Sequence, residues 1–103
     1  MRTLRAGGVG CISATANVNP KAIANLAANW HAADADQRQA DLDQVRAIFQ
    51  KYQMIVALKT ALAYFSKDAD WLRLRPPLMS LGADQQKKLI TELEQIHFSM
   101  PGL

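Results

Sequence analysis

The stretch "GGVGCISATANVNP", Gly7 to Pro20, decides how the rest of the chain is read. Glycines come first. They run into small, β-branched and apolar residues from Val9 to Val18 that show no helical periodicity. Such a run predicts a short strand buried on both faces, as in a parallel sheet. Asn19 then offers an N-cap side chain, and Pro20 suits the first helical position, where its missing N–H would have had no partner anyway. A buried strand needs neighbours, because unpaired backbone N–H and C=O groups are costly away from water. No other segment of this sequence reads as a strand, so the ribbon implies partners that the chain does not contain.

Outward from Pro20, four helical patterns follow. Ile23, Leu26, Ala27 and Trp30 mark one face of the first. "HAADADQRQ" (31–39) interrupts it and starts the second, with Asp34 or Asp36 placed to cap it at the positive end of the helix dipole. Leu42, Val45, Phe49 and Tyr52 form its stripe, with Ile48 beside it. A third helix, Met54 to Phe65, is apolar nearly all round, with Lys59 as its lone charge. "SKDAD" (66–70) is a polar loop, and Pro76 and Pro77 keep "WLRLRPPLMSL" (71–81) extended. The last helix begins near Gly82-Ala83-Asp84 and turns Leu89, Ile90, Leu93 and Ile96 inward. The fold class is therefore mainly α.

Composition narrows the function classes. At 103 residues the chain is at most one domain, and half its residues are hydrophobic while a fifth are charged, the balance of a globular protein. The net charge of +3 is spread along the sequence among the acids and builds no cationic face, which argues against nucleic acid as a partner. No apolar run approaches the ~20 residues that span a bilayer, which argues against a membrane partner. Arg2, Arg5 and Ala14-Thr15-Ala16 imitate a secretion signal, but Gly7, Gly8 and Gly10 sit where its hydrophobic core belongs. A cytoplasmic location is expected. Cys11 is the single cysteine, expected to pack as a small buried group; with His31 and His97 far from it, no metal site or cofactor is expected.

Few residues invite a catalytic reading. The glycines of Gly7–Gly10 precede the apolar run, whereas a phosphate cradle needs them after a strand and opening a helix. Lys59, in its apolar setting, has the surroundings of a Schiff-base amine, but its stem crossing the helix surface towards water or a carboxylate is the simpler account. Asp41 with Asp43, and Glu92 with Glu94, stand two apart and so do not share a helix face. His97 most simply meets the last helical carbonyls.

Three stretches in order carry a resemblance. "AGGVGCISATANVNP" (6–20) resembles the last barrel strand and following turn of the dihydrodipicolinate synthase / N-acetylneuraminate lyase family. "VALKTALAYF" (56–65) is similar to that family's lysine-bearing extension helix, and "LRLRPPLMSL" (72–81) to its Arg-Pro-Pro-Leu segment. The resemblance implies the C-terminal part of a TIM (β/α)8 barrel enzyme, a class I lyase that handles pyruvate or another 2-oxo acid through a lysine Schiff base. Residues 1–33 would end the barrel with the last strand and helix, Met1 falling in its helix seven. Residues 34–103 would form the three-helix extension. The resemblance places Ile12, Ser13 and Asn17 at the substrate, and Lys59 at a structural lysine. The barrel needs roughly 250 residues; its Schiff-base lysine, proton-shuttling tyrosine and Gly-Thr-Thr turn have no counterpart in this sequence. No catalytic residue is therefore expected here, and the chain reads as a truncated product or remnant, inactive alone. Homo-oligomers are expected. The alternative is a stand-alone helical interaction or oligomerisation module derived from the family, with the orphan strand pairing between copies.

Overall fold

A computed structural model of the chain describes residues 2–101, and all their regular structure is helical. The helices are α1 (Arg2–Arg5), α2 (Pro20–Ala28), α3 (Ala35–Gln50), α4 (Met54–Ser66) and α5 (Ala83–Gln95). Two 3-10 turns, Ala14–Asn17 and Ala69–Leu72, punctuate them. Met1, assigned by resemblance to a barrel helix, lies outside the described residues. The backbone divides into two compact units, Met1–Gln44 and Val45–Leu103.

The first unit corrects the strand. Residues 8–13 carry no regular structure, and Ala14–Asn17 coils into a 3-10 turn where the apolar run predicted extended backbone. The reason is the one that made the strand suspect: a ribbon draws its hydrogen bonds from neighbours. Among the described residues there is no strand to supply them. The segment satisfies itself locally instead. The Thr15 carbonyl accepts the amides of Val18 (3.1 Å) and Asn19 (2.9 Å). Thr15 and Val18 are buried, and the turn packs on α2, whose Leu26 is buried too. Pro20 opens α2 as expected, but the Asn19 side chain makes no capping bond. The helix stops at Ala28, short of Trp30, and Ala27 is exposed rather than inward. Asn29 ends it by sending its own amide and its Nδ2 back to the Asn25 carbonyl, at 3.1 and 2.8 Å.

The second unit holds the larger core. Phe49 and Val56, with Leu89 and Leu93 from α5, are the largest fully buried side chains here. Phe98 meets Phe49 and Phe65 edge-on, with centroids 6.2 and 5.4 Å apart. α4 begins where Gln53 Oε1 accepts the Val56 amide at 2.9 Å. Its interior hydroxyls are satisfied by the helix itself, Thr60 donating to Val56 O at 2.8 Å. α4 and α5 end alike. Lys67 and His97 take left-handed angles (φ 57° each), and the next amides, Asp68 and Phe98, reach back to the carbonyls of Ala63 (3.1 Å) and Leu93 (3.0 Å). Between them, residues 73–75 and 78–82 carry no regular structure, and the chain turns at a cis Pro76–Pro77 bond, where the Leu78 amide donates to Arg75 O at 3.0 Å; Trp71 and Leu72, expected in an extended segment, belong to the preceding 3-10 turn.

Candidate functional site

The glycine turn owes its shape to backbone that only glycine accommodates readily. Gly7 has φ +88°, closing α1 from the left-handed region, and the Gly8 amide then donates to Thr3 O at 2.8 Å. A Cβ on Gly8 would stand 2.4 Å from Thr3 Cγ2 and 2.8 Å from Thr3 O, so a side chain there would force the turn open. Beyond it the chain emerges into solvent. Val9 and Ile12 are fully exposed, at 104% and 106% of the reference area. Cys11 is exposed as well, against the expectation that it packs in a core, in a run, Gly8 to Ile12, that is exposed throughout.

The residues assigned to substrate by resemblance lie along this stretch, with their polar groups engaged nearby. Ser13 Oγ and Thr15 Oγ1 are 2.9 Å apart, and Asn17 Nδ2 donates to Ala14 O at 2.9 Å. Ile12 has only its backbone to offer a ligand. Neither histidine nor any acid joins them within the interactions of the turn.

Lys59 sits half-buried on α4, and its Nζ donates to the carbonyl of Arg73. The expected destination was water or a carboxylate. A main-chain oxygen takes that place, so the lysine ties the proline segment to α4. Of the acid pairs, Asp41 and Asp43 are helix-surface groups that accept from Gln37 (3.0 Å) and Gln39 (2.8 Å), each one turn away, whereas Glu94 is exposed and Glu92 largely covered. His97 contributes its amide, which donates to Glu94 O at 3.0 Å, as part of the cap on α5.

A feature that spacing did not announce is an open groove of about 990 Å³ in the second unit, floored by apolar side chains such as Ala63, Leu72 and Ile90. Tyr64 and Glu94 stand beside it, the phenol donating to Glu94 Oε1 at 2.7 Å. That hydrogen bond, and then the carboxylate charge, push the phenol above its ordinary value. The groove offers a held proton and the ammonium groups of Lys67 and Lys87, but no nucleophile paired with a base. Among the described residues no three His, Cys, Asp or Glu side chains gather as metal ligands, and no helix is long and apolar enough to cross a membrane.

The model of the Dihydrodipicolinate synthetase family matches residues 1–96. A 4-hydroxy-tetrahydrodipicolinate synthase of Trichlorobacter lovleyi is 40% identical over 87 residues, which is 81% of this chain and 29% of that protein. The chain thus spans under a third of the curated relative it matches. No solved structure matches it.

Proposed function

The chain belongs to the dihydrodipicolinate synthetase family, and on that premise we propose that it is the C-terminal part of a pyruvate-dependent Schiff-base aldolase or lyase, without catalytic activity by itself. In this reading residues 1–33 are the end of a (β/α)8 barrel and residues 34–103 its helical extension. Ile12, Ser13 and Asn17 border the 2-oxo acid when the remaining barrel strands are present. The observation that carries the reading is Lys59. It is the one lysine set in an apolar helix, and its ammonium donates to the Arg73 carbonyl. A Schiff-base lysine must present a free amine to a carbonyl carbon, with an acid–base group to move the protons. Borohydride reduction in the presence of pyruvate is expected to leave the mass of the chain unchanged. A reduced pyruvyl adduct mapped to Lys59 would overturn the proposal.

A second reading rests on the full exposure of Val9 and Ile12. An apolar, uncovered segment suits a helical module that associates through it, each copy lending the other the backbone partners that its own chain lacks. Light scattering over a wide concentration range separates the two: self-association abolished by Ile12→Asp supports the module, and a monomer at every concentration removes it.

A further inference from the structure

Lys51 and Tyr52 lie in the turn between α3 and α4, and Glu92 lies on α5. Lys51 Nζ donates to Glu92 Oε1 at 3.3 Å. The lysine side chain remains 57% exposed while that of Glu92 is only 18% exposed, so water reaches the cation and scarcely the anion. The second carboxylate oxygen, Oε2, is sealed from solvent and has no partner. The Tyr52 hydroxyl is in the same condition, on a residue that is half-buried as a whole. Burial, and then the charge of Glu92, raise the phenol above its ordinary value, so the hydroxyl keeps its proton and the carboxylate is close enough to be felt.

These two orphans are complementary. One is a donor without an acceptor, the other an acceptor without a donor, and both belong to one cluster of the second unit. Leaving either unmet is costly, and a bond between them would satisfy both. We infer that the Tyr52 hydroxyl donates to Glu92 Oε2, closing a Lys51–Glu92–Tyr52 clasp that fixes the α3–α4 turn onto α5. The clasp acts through position. Gln53, the next residue, caps α4, so anchoring Tyr52 sets where α4 begins. A carboxylate held on both oxygens by neighbouring residues of one turn resists the twisting that a single ion pair allows.

The test is a double-mutant cycle on the full chain with Tyr52→Phe, Glu92→Gln and both, read by denaturant unfolding. Each single change is expected to lower the folding equilibrium constant roughly tenfold, as losing a hydrogen bond to a charged group does. The double variant should fall little further. Penalties that simply add would overturn the clasp. A second readout is independent of stability. In a Tyr64→Phe background Tyr52 is the sole tyrosine, and its ultraviolet ionisation midpoint should move down towards the ordinary phenol value on Glu92→Gln; an unmoved midpoint also overturns it. Should Glu92→Gln not fold, the hydroxyl proton of Tyr52 decides the matter by NMR in that same background: slow exchange with water supports the clasp, and rapid exchange overturns it.

Discussion

The two units are built from similar residues and treat them differently. In Val45–Leu103, Phe49, Leu89 and Leu93 are wholly buried, and α4 adds Val56, Ala57 and Ala61. In Met1–Gln44 the buried apolar residues are Val18, Leu26 and Ala35, while Val9 and Ile12 stand in solvent. Hydrophobicity is not what separates Ile12 from Leu89. Leu89 belongs to a helix whose apolar stripe meets others within the same unit, and Ile12 belongs to a segment that leaves its side chain wholly in solvent. Burial is a property of the pair, and an apolar side chain that meets no partner stays in solvent.

The sharpest way to break that contrast is to truncate one residue of each kind. Phe49→Ala removes a fully buried ring that also contacts Phe98, and it should cost about 3–5 kcal/mol of stability. Ile12→Asp places a charge where the side chain touches nothing, and it should change unfolding by less than about 0.5 kcal/mol. Denaturant unfolding followed by circular dichroism measures both. Equal penalties would mean that residues 8–13 are packed in solution and that the two units bury their apolar residues alike.

Helix endings sharpen the contrast at a smaller scale. α1 closes on Gly7 with φ +88°, whereas α4 closes on Lys67 with φ 57°. Glycine adopts the left-handed region freely and lysine does not, at a cost of roughly 1–2 kcal/mol. Exchanging the residue types should therefore act in opposite directions. Gly7→Ala is expected to loosen α1 locally, speeding exchange of the Gly8 amide roughly tenfold. Lys67→Gly should raise stability by less than about 1 kcal/mol, since the relief of strain is partly offset by losing a cation at the negative end of the helix. Thermal melts read the second change. A fall in melting temperature on Lys67→Gly would show that the lysine contributes more than its strain costs.

What the sequence made legible follows from range. The beginnings of α2 at Pro20 and of α5 just after Gly82 were readable because a proline at the first helical position and an acid, Asp84, in the first turn act locally. The stripe of Val45, Ile48 and Phe49 was readable because a helix brings residues three and four apart to one side. The glycine-led ribbon does not form a strand because a strand needs a hydrogen-bonding neighbour, and apolar composition reports burial tendency, not whether such a neighbour is at hand. Lys59 found a carbonyl rather than a carboxylate, since carbonyls are everywhere along a chain and leave no mark in its pattern. Of the candidate site, Ile12, Ser13 and Asn17 came from resemblance to a family, and no spacing rule selects them. The Tyr64–Glu94 and Lys51–Glu92 contacts cross between elements far apart in sequence, where periodicity is silent.

The smallest expected effect concerns Tyr64, and its sign can be worked out. In the folded chain the phenol donates to Glu94 and feels that carboxylate's charge, and both hold its proton more tightly than in the unfolded chain, where the ordinary value is 10.0. A group whose folded value is raised adds stability that is fully present below the unfolded value and is lost as pH climbs through the folded one. Stability from this contact should therefore be flat through neutral pH, begin to fall as pH passes 10.0, and vanish once the folded phenol has ionised beside Glu94. Tyr64→Phe should shrink this alkaline decline while leaving neutral stability nearly unchanged, since the pair is exposed and surface contacts are worth little. Tyr52 titrates in the same direction for a different leading reason, burial, so the Tyr64→Phe chain should retain a residual slope that Tyr52→Phe then removes. If Tyr64→Phe and the parent chain lose stability along the same alkaline curve, the hydrogen bond across α4 and α5 is not formed in solution, and the order ascribed to the second unit stops short of its surface.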